Sequence, residues 1–264
     1  MEQSAVAKDR VLYAHRGASL KLPENTMEAF RQGLQDGATA LEMDVQCTED
    51  DMVVVFHDED GFRTATQPDV IAETSSAVIK TWNVGAGLFP SSVQRHFTGH
   101  KYHVPEFAEV LDAFSNVQLN VDIKTSDTTK VATVIDVIRR HKATSRVLLT
   151  SFFLPIVNAV RGLGYEGQIG LSRWEVAALF FVPERYVGQF LRGKGHRVQV
   201  PLKYGPLQFD EQSFIDKCHR LGLKIDFWTI NQRDVAKELL RKGADGIMSD
   251  DPANLFPAFA PYFT

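Results

Sequence analysis

The chain has 264 residues, of which 44% are apolar and 23% charged, a length and mixture that suit one large buried core. Its 29 lysines and arginines stand against 33 aspartates and glutamates without any basic run, which argues against a nucleic-acid partner. No apolar run approaches the ~20 residues that a membrane helix needs, so no transmembrane segment is expected.

From the N-terminus, Met1-Glu2-Gln3-Ser4 leads to Val11 without the charged start and apolar stretch of a signal peptide, so a cytoplasmic location is expected. Val11 to Ala14 reads as a first strand. Thr26 to Gln35 reads as its helix, with Ala29, Phe30, Gly33 and Leu34 on one face. Ala40 to Val45 and Val53 to His57 read as two strands around the acidic turn Glu49-Asp50-Asp51. Pro105 to Ala113 and Lys130 to His141 read as helices on either side of a strand over Gln118 to Ile123. Later strands are expected at Arg146 to Thr150, Gln168 to Leu171, Arg197 to Val200, Lys224 to Thr229 and Gly246 to Ser249. Helices between them are expected at Leu154 to Leu163, Trp174 to Leu191, Gln212 to Leu221 and Arg233 to Arg241. Gly164, Gly222 and Gly243 follow helical patterns, as C-terminal capping glycines do. This alternation predicts a (β/α)8 TIM barrel forming one domain over residues 1–264.

Residues 59–103 break the rhythm, with no clear strand and a length beyond an ordinary barrel connection. They are expected to form a small insertion or lid near the barrel mouth, cored by Phe62, Trp82, Phe89, Phe97 and Tyr102. Its histidines, His96, His100 and His103, read as solvated loop residues, because Gly99 interrupts their spacing and no acid or cysteine joins them. Cys47 and Cys218 fall in segments that read as buried, so two reduced thiols are expected.

The chemistry concentrates in four segments, His15-Arg16-Gly17, Pro23-Glu24-Asn25-Thr26, Glu42-Met43-Asp44 and Phe56-His57-Asp58. Alternate residues of a strand point to one side, so Glu42 and Asp44 aim two hard oxygen ligands at one place, in a strand too apolar to leave them unpaired. His15 and His57 fall at strand ends beside that pair, where a barrel places its active site.

Together these segments resemble the glycerophosphodiester phosphodiesterase family, and the resemblance extends from Val11 through Leu255. It implies hydrolysis of glycerophosphodiesters such as glycerophosphocholine or glycerophosphoethanolamine to sn-glycerol 3-phosphate and an alcohol. The implied catalytic pair is His15 and His57, one acting as general acid and the other as general base. The nucleophile is either water or the substrate's own 2-hydroxyl. The implied metal ligands are Glu42, Asp44 and Asp122, the last standing where family members usually carry glutamate, one methylene longer. Such carboxylates suit one divalent cation, Mg²⁺ or Ca²⁺ with Mn²⁺ as a further candidate. Arg16 and Lys124 are the expected phosphate partners, with ion pairing to Glu24, Glu42 or Asp122 as their structural alternative. Glu24 either supports the substrate site or begins the first helix, for which Asn25 or Thr26 makes a good cap. Trp228 is expected to line the glycerol pocket. Two alternatives accompany this reading: lysophospholipase D action on lysophospholipids, with Phe180-Phe181 and the C-terminal phenylalanines as acyl contacts, and a non-catalytic phosphodiester-binding barrel. Oligomeric state is left open.

Overall fold

Side-chain alternation along the strands builds the architecture. The computed structural model describes residues 10–87, 97 and 99–263. In β2 (Ala40–Cys47), Leu41, Met43, Val45 and Cys47 enter the main hydrophobic core, and the intervening Glu42, Asp44 and Gln46 turn the other way. β4 (Gln118–Ile123) repeats the pattern, with Leu119, Val121 and Ile123 in the core and Asn120 and Asp122 opposite. The two strands pair with each other in parallel, Glu42 beside Asn120 and Asp44 beside Asp122. Polar residues thus line the inside of the sheet while apolar ones meet the helices outside it.

The sheet also contains β1 (Val11–His15), β3 (Val53–Val55), β5 (Val147–Thr150), β6 (Gln168–Ile169) and β7 (Arg197–Val200). After a two-stranded ribbon of β8 (Lys203–Tyr204) and β9 (Leu207–Gln208), it is completed by β10 (Lys224–Phe227) and β11 (Gly246–Ser249). Eight parallel strands run in the order β6-β5-β4-β2-β1-β11-β10-β7. A parallel bridge between Gly170 and Arg197 joins the two ends, so the sheet closes as a (β/α)8 barrel. β3 lies off this ring, antiparallel to β2 with Val55 beside Val45. The expected strand to His57 therefore ends at Val55, and His57 occupies the turn beyond it.

Helices pack on the outside. α1 (Met27–Gln35) is capped by Thr26, whose hydroxyl accepts from the Ala29 amide, and it buries Met27, Ala29, Phe30 and Gly33. α2 (Phe62–Ala65) and α3 (Ser76–Ile79) are single turns in the 59–103 segment, and α4 (Phe107–Ala113) precedes β4. α5 (Val131–Arg140) buries Val131, Val134, Ile135 and Ile138 at helical spacing, as expected. α6 (Leu154–Gly162) follows β5. The helix expected over Trp174 to Leu191 is two helices, α7 (Arg173–Phe181) and α8 (Glu184–Leu191). Pro183 has no amide hydrogen and pushes Val182 to an extended conformation, φ −86° and ψ 135°, which ends α7 there. α9 (Gln212–Arg220), α10 (Arg233–Lys242) and α11 (Pro252–Phe259) complete the shell, with Gly243 ending α10 at φ 108°.

The barrel interior is more polar than its sheath. Arg197 and Asp226 form a two-pronged ion pair at 2.6 and 2.7 Å, joined by Gln199 and packed under Tyr13. Val54, Phe56, Ile71, Ile79, Trp82, Phe97 and Tyr102 form a second, smaller core under the segment that follows β3. Trp82, Phe97 and Tyr102 join it as expected, whereas Phe62 is 61% exposed and does not; Phe89 and His96 lie outside the described residues. His100 and His103 are exposed, and both cysteines are free thiols in buried positions. Among the described residues, no helix is long and apolar enough to cross a membrane.

Candidate active site

The C-terminal ends of the barrel strands surround a cavity of about 480 Å³. Its polar side comes from β1, β2 and β4 and their loops, which supply His15, Arg16, Glu42, Asp44, Asp122 and Lys124, with His57 beside them. Its apolar side comes from the segments after β5, β6 and β7, including Phe152, Leu171, Trp174 and Leu207. Trp228, just past β10, completes the lining and meets Phe152 edge to face at 5.8 Å. Every expected site residue except Glu24 borders this space.

Local backbone conformations aim the first loop. Arg16 sits at φ 55°, an uncommon conformation for a residue with a Cβ, and Gly17 at φ 85° lies where a Cβ would fall 2.5 Å from the Ala29 backbone. The loop is thus pressed onto α1, and the Arg16 amide donates to Glu42 Oε2 at 2.9 Å. Asn25, at φ 57°, donates to Asp44 Oδ2 at 2.9 Å, so Asn25 holds the acid while Thr26 does the capping.

Each histidine is anchored through Nδ1 by a carboxylate. His15 Nδ1 lies 2.7 Å from Asp250 Oδ1, and His57 Nδ1 lies 2.6 Å from Asp58 Oδ1. His15 Nε2 is 3.9 Å from Glu42 Oε2. Burial by itself would lower the pKa of His15, but the Glu42 charge and the bond to Asp250 outweigh it and leave it above the ordinary histidine value. Burial and the neighbouring Asp44 charge raise the Glu42 carboxyl. Asp44 is held below the usual range because Lys124 and Arg16 overcome its own burial.

The two expected phosphate partners are ion-paired. Lys124 Nζ lies 2.7 Å from Asp122 Oδ2 and 3.0 Å from Asp44 Oδ1, while Arg16 contacts Glu24 at 2.9 Å and Asp44 at 3.1 Å. Glu24 does not begin α1; it bridges Arg16 and Arg63, and Arg63 also reaches Asp58 at 2.5 Å. Arg63 and Asp250 are site residues that reading the sequence missed. Their chain positions are remote from their partners, and the only signals were the Phe62-Arg63 run shortly after His57 and the Ser249-Asp250-Asp251 segment ending the last strand.

Glu42, Asp44 and Asp122 are 5%, 1% and 8% exposed, and burial raises the Asp122 carboxyl. Among the described residues, no three side chains of ligand type are already arranged around one point, and Lys124 bridges Asp44 and Asp122. The donor set nevertheless fits a hard divalent cation. Asp122 Oδ1 and Asn120 Oδ1 are buried with no hydrogen-bond partner, beside two further carboxylates. Orphaned oxygens of this kind are expensive unless something accepts their lone pairs.

The model of the Glycerophosphoryl diester phosphodiesterase family matches residues 15–254. The chain belongs to that family. Membership makes it a phosphoric diester hydrolase, and the sequence resemblance is borne out over nearly its whole length. Among relatives, it is 30% identical to the uncharacterized protein YqiK of Bacillus subtilis (strain 168), over 91% of this chain and 95% of that one. It is 26% identical to the glycerophosphodiester phosphodiesterase of Caldanaerobacter subterraneus subsp. tengcongensis, over 93% and 96%. Its fold matches that of an Oleispira antarctica phosphodiesterase solved with the product sn-glycerol-3-phosphate, with a TM-score of 0.77 at 22% identity and 96% and 97% coverage.

Proposed function

We propose that the protein hydrolyses glycerophosphodiesters, such as glycerophosphocholine or glycerophosphoethanolamine, to sn-glycerol 3-phosphate and an alcohol. The observation that carries this reading is the pair of carboxylate-anchored imidazoles, His15 and His57, on one cavity with three buried acids. With Nδ1 of each ring held by an acid, Nε2 is the nitrogen left for proton transfer. One histidine removes the proton of the nucleophile, water or the substrate 2-hydroxyl, and the other protonates the departing alcohol oxygen. Glu42, Asp44 and Asp122 would hold a divalent cation, Mg²⁺, Ca²⁺ or Mn²⁺, which when bound withdraws charge from the phosphoryl oxygens. Arg16 and Lys124 neutralise the diester anion, with Glu24 keeping the Arg16 guanidinium in place. Trp228 packs against the glycerol carbons. The described part of the 59–103 segment serves as a cover at the mouth, supported by the reach of Arg63 to Glu24 and Asp58.

The apolar side of the cavity favours a second substrate class, lysophospholipids cleaved as by a lysophospholipase D, with Phe152, Leu171 and Trp174 against an acyl chain. The deciding assay measures glycerol 3-phosphate released from glycerophosphocholine and glycerophosphoethanolamine, beside lysophosphatidic acid released from lysophosphatidylcholine, each with Mg²⁺, Ca²⁺, Mn²⁺ or chelator. Metal-dependent release from the short diesters is expected, and it should fall by about 10²- to 10⁴-fold in His15→Ala and in His57→Ala. Turnover of the lipid alone would favour the second class. Tight binding without any turnover would replace both with a binding barrel.

A further inference from the structure

Two consecutive helices, the first of which borders the mouth, carry large exposed aromatic side chains. Trp174 and Phe181 are seven residues apart in α7, hence on one face, and they are 64% and 66% exposed. Tyr186 and Phe190, four apart in α8, are also exposed. Phe180, by contrast, turns inward against Phe209 and Phe214, with ring centroids at 5.3 and 5.5 Å. Single exposed apolar residues are ordinary on a soluble surface; a succession of four aromatic ones marks an interaction site.

Cations accompany them. The Arg173 guanidinium lies 5.7 Å from the Trp174 ring, that of Arg185 lies 4.5 Å from Tyr186, and Lys194 Nζ lies 3.5 Å from Phe190. The acids of the same stretch are engaged, Glu175 in burial against Arg161 and Glu184 with Arg220. Arg173, Arg185, Arg192 and Lys194 therefore make this stretch positive in a chain whose formal net charge is −4. Arg173 and Trp174 also border the substrate cavity, so the basic, aromatic surface begins at its mouth.

We propose that α7 and α8 form a docking surface for anionic phospholipid bilayers, which seats the cavity mouth at the headgroup layer. Amphipathic aromatic rings settle at that depth, and basic side chains are drawn to the anionic surface around them. The surface serves whichever diester the site cleaves, so it stands independently of the substrate reading.

Sedimentation of the full chain with phosphatidylcholine vesicles, and with vesicles containing phosphatidylglycerol, tests it. The chain should pellet with the anionic vesicles, release in high salt, and show blue-shifted tryptophan emission on binding. Phe181→Ser/Phe190→Ser should weaken binding by at least about tenfold at unchanged melting temperature. Arg185→Glu should weaken it by about fivefold or more, the expected effect of one basic residue at an anionic surface. Absence of pelleting with anionic vesicles, or pelleting that ignores both variants, would overturn the proposal. So would a dimer in light scattering that the same variants dissociate, since the face would then be joining two copies of the chain.

Discussion

His15 Nδ1 and Asp250 Oδ1 lie 2.7 Å apart although 235 residues separate them. Barrel closure explains the contact: β1 pairs with β11, placing Ala14 beside Ser249, so each strand's next residue emerges at the same rim. Asp250 also accepts from Ser19 at 2.9 Å and from Asn231 at 2.9 Å, which fixes the carboxylate that orients the imidazole.

That relationship has a pH signature. Burial would raise the Asp250 carboxyl, but the bond and charge of His15, with Asn231 and Ser19, hold it down at about 2 against an ordinary 3.8. A depressed folded-state value stabilises the protein above the unfolded pKa, and that contribution is lost as pH falls toward the folded one. About 2 kcal/mol is expected from a shift of this size. Urea unfolding of wild type and Asp250→Asn should therefore differ by roughly that amount near neutrality. The gap should close as pH drops through the range from 3.8 to about 2. A constant gap would place the role of Asp250 elsewhere. In the same variant the His15 proton should be lost at lower pH, read by NMR titration of the ring.

Arg63 joins Glu24 and Asp58, and through them Arg16 and His57. Arg63→Met should lower kcat/KM roughly 10- to 100-fold, the usual range for residues that orient a functional shell. Arg63→Lys should recover part of the loss, because it restores the charge without the planar fork. Wild-type kinetics in Arg63→Met would show that the histidine and arginine keep their positions unaided.

Asp122 is tested by metal titration. Asp122→Asn should raise the cation concentration needed for half-maximal turnover by about tenfold or more, since one anionic donor is lost. Asp122→Glu should preserve or improve affinity if the carboxylate binds the cation directly. An unchanged metal requirement in both would reduce Asp122 to a partner of Lys124.

The Arg197–Asp226 pair is buried on both sides, at 4% and 0% exposure. Arg197→Met strands the aspartate charge and should destabilise by about 3–5 kcal/mol in denaturant unfolding. Arg197→Met/Asp226→Leu should lose less than the single change, because no uncompensated charge then remains.

The sequence by itself determined the barrel class and most of its elements, because strand alternation and helical spacing are local properties. Glu42 and Asp44 could be placed on one side from their spacing alone, and Gly243 could be assigned to a helix end because only its backbone conformation was at issue. Local reading failed at Val182-Pro183, where the apolar pattern of two helices runs on across the proline, and at Phe62, whose aromatic character said nothing about which way its turn would face. Only the tertiary structure decided which charges meet. Asp250 reaches His15 because the first and last strands adjoin, Arg63 reaches Glu24 because its segment is built on a separate small core, and Lys124 lies between Asp44 and Asp122 because β2 and β4 pair in that register. Ion pairs between distant segments depend on the closed three-dimensional path of the chain, and no periodicity along the sequence encodes that path.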